Sequence, residues 1–191
     1  MKKLASLLVV FFLVGSASAQ TTTGTSPTTN TAPYLLPRNG ASVGVGFLST
    51  TGDPGFSVVN VNGGLRHRGF ELAGEFNAGG TNITVPGFTI KLRQQDYLVG
   101  PRFYFSRALA NPRFVPFVHL LFGLSHQSSA VTNGPESSDN AYSWSVGGGV
   151  QYNINRNWGI RGRGDVFRTH FLDETQTHAR YGAGVVYMFG R

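Results

Sequence analysis

The chain has 191 residues, a formal net charge of +7, 26 glycines, 13% aromatic residues and no cysteine. The missing thiols exclude a disulfide framework and thiolate metal sites, and the basic residues scatter instead of forming the stripe a nucleic-acid binder needs. After residue 20 no apolar run reaches the ~18 residues of a membrane-spanning helix.

Lys2 and Lys3 make a positive start, Leu4 to Val14 an apolar run, and Ala17-Ser18-Ala19 a small-residue cleavage site. This is the pattern of a secretory signal peptide over 1–19, cleaved after Ala19. The alternative, a retained anchor, needs an apolar run of about 20 residues. Without Lys2 and Lys3 the chain keeps 14 basic against 9 acidic residues, a net +5. Residues 20–38 are rich in Thr, Ser, Asn and Pro (TTTGTSPTTNTAP) and read as a flexible linker. O-linked decoration of the threonines is the other reading of this tract.

From Gly40 the chain alternates with period two, the signature of strands with one apolar face. Eight strands are predicted. The first, Ala41–Ser49, sets Val43, Val45 and Phe47 opposite Gly44 and Gly46. The second, Phe56–Leu65, sets Val59, Val61 and Leu65 opposite Asn60 and Asn62. The third, Phe70–Asn77, sets Phe70, Leu72 and Phe76 opposite Glu71, Glu75 and Asn77. The fourth, Gln95–Phe105, places Tyr97, Val99 and Phe103 outward and Asp96, Arg102 and Tyr104 inward. The fifth, Phe114–Ser125, is nearly continuous in hydrophobicity; Val118, Leu120, Phe122 and Leu124 are assigned outward and His119 inward. The sixth opposes Tyr142, Trp144, Val146, Val150 and Tyr152 to Ser143, Ser145 and Gln151. The seventh, Trp158–Arg168, opposes Trp158, Ile160 and Val166 to Arg161, Arg163 and Asp165. The last, Arg180–Phe189, carries Tyr181, Val185, Tyr187 and Phe189 on one face and Arg180, Val186 and Met188 on the other.

The three longest connections, 78–94, 126–140 and 169–177, all fall at one rim, and the shorter basic turns (Arg66, Arg68, Arg107, Arg156) at the other. That asymmetry belongs to an eight-stranded antiparallel transmembrane β-barrel, an up-and-down meander spanning 39–191. A soluble lipocalin-type barrel would instead line its inside with the apolar faces. With lipid outside, the interior receives Glu71, Glu75, Asp96 and Asp165 together with Arg102, Arg161, Arg163 and Arg180. Charges in so narrow a space must pair, so an ion-pair network filling the lumen is expected. Tyr142, Trp144, Tyr152, Trp158, Tyr181, Tyr187 and Phe189 are expected to face lipid, several as interfacial girdles.

The stretch Tyr97-Leu98-Val99-Gly100-Pro101-Arg102-Phe103, then Pro116-Phe117-Val118-His119 leading to Phe122-Gly123, then Gly147-Gly148-Gly149, resembles the porin-like outer membrane β-barrel domain family. Its small eight-stranded members are similar in architecture to the OmpA transmembrane domain and OmpX, and the likeness runs from Gly40 onward. The resemblance implies a place in the outer membrane, with outer-membrane lipid as surroundings. It also implies that the barrel-assembly machinery reads the last strand, from Arg180-Tyr181-Gly182 to Val185 and Tyr187. Such chains commonly finish on an aromatic residue, whereas here Gly190 and Arg191 follow Phe189. No peptidoglycan-binding domain is expected beyond the barrel.

No catalytic residue, metal or cofactor is expected. His126-Gln127-Ser128 is similar to the His-x-Ser of the lipid A deacylase family, with Glu136 or Asp139 as an orienting acid, but that family's following Asn and Gly are replaced by Ser129 and Ala130. His67, His119, His126, His170 and His178 lack metal-ligand spacing, although His170 and His178 flank Asp173 and Glu174. The expected role is structural or surface-interactive, with an extracellular ligand at 78–94, 126–140 and 169–177. A narrow porin for small solutes is the alternative, and a lipid A-modifying hydrolase the third reading.

Overall fold

The computed structural model describes residues 39–52, 55–86, 88–105, 111, 113–131, 136–171 and 174–190. The expected signal peptide and linker, Arg107, Asp173 and Arg191 lie outside the described residues.

Eight strands form in sequence order: β1 (Asn39–Thr50), β2 (Phe56–His67), β3 (Phe70–Val85), β4 (Phe88–Tyr104), β5 (Phe114–Val131), β6 (Glu136–Asn153), β7 (Trp158–Phe171) and β8 (Glu174–Phe189). Each pairs antiparallel with its chain neighbour, and β1 pairs with β8 to close the barrel. The closing ladder runs from Ala41 opposite Phe189, through Val45 opposite Val185, to Thr50 opposite Arg180. Closure leaves no edge strand, so the backbone can meet lipid with its polar groups paired.

Side chains alternate in the reverse of a soluble protein. Phe47 is 67% exposed, Leu65 68% and Val99 54%, while Glu71 and Arg102 are completely buried. Val118, Leu120, Phe122 and Leu124 point out of β5, and His119 and Ser125 point in. An aqueous solvent would penalise so continuous an apolar exterior. A hydrocarbon one rewards it, and the soluble lipocalin-type reading falls on this observation.

The principal difference from the predicted layout lies at one rim. The segments 78–94, 126–140 and 169–177 are mostly strand, not loop. The β3–β4 ladder continues to Val85 opposite Phe88, the β5–β6 ladder to Ala130 opposite Glu136, and the β7–β8 ladder to Phe171 opposite Glu174. Thr81, Asn82, Lys91, Gln127, Ser137 and Gln176 are too polar to show apolar alternation. A polar hairpin in water needs only its ladder hydrogen bonds and cross-strand pairs, however, so the pairing propagates past the apolar zone.

At the opposite rim the connections are short. Arg68 (φ 49°) and Gly69 (φ 90°) both lie left-handed in the β2–β3 turn, the requirement of a two-residue type I′ hairpin. Gly69 supplies that conformation without the steric cost that Arg68 bears. Farther in, a Cβ on Gly64 would stand 2.6 Å from Cγ of Glu71. The missing side chain at Gly64 is what leaves room for the Glu71 carboxylate.

Candidate functional site: the charged lumen

Inward alternation brings eight charged side chains into one unbroken series. Arg66 Nη2 lies 2.8 Å from Glu71 Oε2, and Arg102 Nη1 lies 2.7 Å from Glu71 Oε1. Arg102 Nη2 reaches Glu75 Oε1 at 2.7 Å, and Arg163 Nη1 pairs with the same oxygen. Arg163 Nε lies 3.3 Å from Asp165 Oδ1, a charge contact without hydrogen-bond alignment. Arg180 then joins Asp165 at 2.9 Å to Asp96 at 3.1 Å. The order is Arg66–Glu71–Arg102–Glu75–Arg163–Asp165–Arg180–Asp96, strictly alternating in sign. Strands β2, β3, β4, β7 and β8 all contribute, so the series ties the two sides of the barrel together.

Neutral groups occupy the remaining lone pairs. Ser42 Oγ and the Tyr104 hydroxyl donate to Glu71 at 3.1 and 3.3 Å. Ser145 donates to Asp165 at 2.6 Å and Ser125 to Asp96 at 2.7 Å. Guanidiniums also lie over aromatic faces, most closely Arg180, 3.7 Å from the Phe167 centroid, and Arg66, 4.1 Å from Tyr104. Such cation–π contacts gain strength where water is excluded.

Seven of the eight residues assigned to the lumen network from sequence stand in this series; Arg161 does not. Its Nη1 donates to Asn62 Oδ1 at 3.0 Å, and its Nη2 donates to the Tyr104 hydroxyl at 2.7 Å and to Gln151 Oε1 at 3.0 Å. No carboxylate lies within ion-pair distance of Arg161 among the described residues. Arg66 takes the fourth cationic place. Read as a turn residue, it sits inside β2, 6% exposed, opposite Glu71 in the β2–β3 ladder. The missed signal was parity: Arg66 continues the inward series of Asn60, Asn62 and Gly64. His119 is also interior, 2% exposed, with neither ring nitrogen hydrogen-bonded, and it stacks on Phe117 at 6.1 Å between centroids.

The lumen is full. The void beside Arg161 and Arg163 measures about 20 Å³, room for about one water molecule.

Outside, aromatic pairs gather at the short-turn rim: Phe70–Phe103 at 5.3 Å, Phe114–Tyr152 at 4.9 Å, Trp158–Tyr187 at 4.9 Å and Tyr187–Phe189 at 4.6 Å. Tyr142 (57% exposed), Tyr97 and Tyr181 face outward toward the long-hairpin end, and Trp144 is half-buried there. Tyr142 and Tyr152 are ten residues apart on β6. That is ~33 Å along the strand, or ~25 Å vertically at a usual barrel tilt, the height of an outer-membrane apolar band.

Among the described side chains no carboxylate orients His126 beside Ser128, and the Glu136 side chain lies outside them. His126 Nδ1 meets Asn140 Oδ1 at 2.8 Å, an amide in place of a carboxylate. Asp139 alternates to the other face of β6, and the backbone N–H of Asn140 donates to its Oδ1 at 2.8 Å. Among the described residues no group of three or more His, Asp or Glu side chains could hold a metal ion.

The sequence matches the outer membrane protein β-barrel domain over residues 7–189. None of the curated proteins matches it. Among solved structures it is similar to Neisserial surface protein A (13% identity, 79% of this chain and 97% of that one, TM-score 0.61). It is also similar to Ail, the attachment invasion locus protein of Yersinia pestis, solved in complex with the heparin analogue sucrose octasulfate (16%, 80% and 99%, TM-score 0.58). A third is the N-terminal β-barrel domain of Pseudomonas aeruginosa OprF (16%, 79% and 99%, TM-score 0.51). At these identities the structures share the fold and nothing finer. The family match covers nearly the whole chain, and the protein belongs to the outer membrane protein β-barrel domain family, integral to the outer membrane.

Proposed function

We propose that the protein is a sealed outer-membrane barrel that serves as a surface-interaction module and passes no solute. The observation that carries this reading is the alternating series from Arg66 to Asp96 across the lumen. Opening a path would separate charges held out of water, at ~3–5 kcal/mol for each pair broken. The long hairpins β3–β4, β5–β6 and β7–β8 face the exterior and carry the ligand, as the asymmetry of short inner turns and long outer connections supports. The attachment protein Ail shares the fold. Residues 1–19 direct export and are cleaved after Ala19, and 20–38 link the start of the mature chain to the barrel. The C-terminal strand is read by the barrel-assembly machinery. Tyr142, Trp144, Tyr152, Trp158, Tyr181, Tyr187 and Phe189 contact lipid and its interfaces.

Planar-bilayer recording tests the seal: purified protein is expected to give no conductance steps, and discrete steps would make it the narrow porin instead. Adhesion of expressing cells tests the surface role. Shortening the three hairpins to tight turns should abolish adhesion while the folded barrel survives, seen as a gel-mobility difference between boiled and unboiled samples. The hydrolase reading gains no support from His126, which faces Asn140.

A further inference from the structure

Above the last ion pair the barrel is open. A cavity of about 300 Å³ lies between β2, β3, β4, β5 and β8 at the long-hairpin end, at the lower bound of small-molecule sites. Among the side chains that line it are Phe56, Thr81, Gln94, Gln127, Gln176 and His178, with Leu92 and Arg93 also at the wall. Asp96 and Arg180 lie beneath it, bonded to one another at 3.1 Å.

From this lining we infer that the mouth of the barrel is a binding site for a neutral saccharide. The inference rests on the surface-interaction reading and names its ligand class.

The hydrogen-bonding groups that line the cavity are amides, a hydroxyl and an imidazole. Gln94 Nε2 donates to Asp96 Oδ1 at 2.8 Å, which fixes the amide and leaves Gln94 Oε1 as an acceptor. His178 Nδ1 donates to the Thr51 carbonyl at 3.1 Å, so in the neutral ring Nε2 is the acceptor. Gln127, directly opposite Gln94 in the β4–β5 ladder, and Gln176 on β8 each offer both a donor and an acceptor. Thr81 adds a hydroxyl that can do either. A ligand meeting such mixed groups must itself donate and accept at closely spaced positions, as sugar hydroxyls do. Phe56 supplies a flat apolar face for the C–H side of a sugar ring.

Charge argues in the same direction. Among the described residues that line the cavity, Arg93 is the only charged one. It is exposed and opposite Gly80, in the outward register with Lys91, so it borders the cavity rather than pointing into it. Asp139, inward on β6 directly opposite Gln127, stands beside the lining. An anionic ligand would be desolvated next to a like charge, with no cation among the described lining residues pointing in, which is costly. A neutral polyol would not. The filled lumen below makes the cavity a dead end, a place to hold a ligand rather than a stage of passage.

Saturation-transfer NMR on the full mature chain in phospholipid nanodiscs decides the matter, with glucose, N-acetylglucosamine and maltose as probes and glucose 6-sulfate as the charged control. Ring-proton saturation from at least one neutral sugar is expected, with at least tenfold weaker binding of the sulfate. The signal should be lost in Phe56→Ala and in Gln127→Leu/Gln176→Leu, both shown folded by gel mobility. No transfer to any neutral sugar, preference for the sulfate, or an undiminished signal in both variants would overturn the proposal. If the sugars fail while hairpin shortening still abolishes adhesion, only the ligand class is wrong. If hairpin shortening leaves adhesion intact, the surface-interaction reading itself falls.

Discussion

The lower lumen and the upper mouth are built by the same alternation on the same strands, yet their chemistry is opposite. Below Asp96 the interior is buried and ionic: Glu71 and Arg102 are fully buried and matched within 2.7 Å. Above it, Gln127, Gln176 and Thr81 are neutral, water-accessible and uncommitted. The difference shows how a barrel separates stability from recognition. Buried charges that complete one another penalise every alternative register, because a slip by one residue would send them into lipid. Uncommitted amides in water exact no such penalty and remain available to a ligand.

The sharpest way to break this contrast is at its centre. Arg102 bridges Glu71 and Glu75, at 2.7 Å each. Arg102→Ala leaves two carboxylates facing each other with only Arg66 and Arg163 to answer them. Removing one partner of a buried pair costs ~3–5 kcal/mol, and the expected result is a barrel that loses its compact gel band at much lower temperature or urea concentration. A shift no larger than that of a hairpin substitution would mean the series does not hold the fold.

Arg161→Ala ranks second. Its partners Asn62, Tyr104 and Gln151 are neutral, and losing a charge-assisted hydrogen bond is worth ~1.5–3 kcal/mol. Removing Arg161 also relieves an excess of positive charge, since Arg66, Arg102, Arg163 and Arg180 already answer the four carboxylates. Urea titration of the two variants side by side should place Arg161→Ala between wild type and Arg102→Ala. Equal loss in both would mean that hydrogen bonding, rather than ion pairing, sets the lumen's stability.

What could be read in advance follows the same division. Period-two alternation is a strong signal where one face meets hydrocarbon, so Val43-Gly44-Val45 or Tyr142-Ser143-Trp144 announces both strand and facing. The signal fades where both faces meet water. The outer ends of β3 through β8 therefore carry no strand signal, although their ladders persist to Val85, Val131 and Phe171. Facing gives a list of interior charges but no partners. That Arg66 rather than Arg161 joins Glu71 depends on cross-strand register, in which Arg66 stands opposite Glu71 while Arg161 stands opposite Gln151 and Gly184. Register depends on turn geometry, such as the left-handed pair Arg68 and Gly69, which shifts pairing by whole residues without altering alternation.

The smallest expected effect tests the other side of the contrast. Gln127 and Gln176 make no hydrogen bond to the ion series, and their hairpins continue by backbone pairing, Gln127 opposite Gln94 and Gln176 opposite Thr169. Gln127→Leu/Gln176→Leu removes two amides that water or a ligand solvates and breaks no internal bond, so the urea midpoint should move by no more than ~0.5 kcal/mol equivalent, the range of ordinary surface changes. Gln94→Leu is the informative neighbour, because its Nε2 donates to Asp96 at 2.8 Å. Losing a hydrogen bond to a buried charge costs ~1.5–3 kcal/mol. A stability gap between the two variants would locate the boundary between structural interior and binding mouth at Asp96, one alternate position below Gln94. Equal losses would place that boundary higher, and the mouth would then be part of the plug.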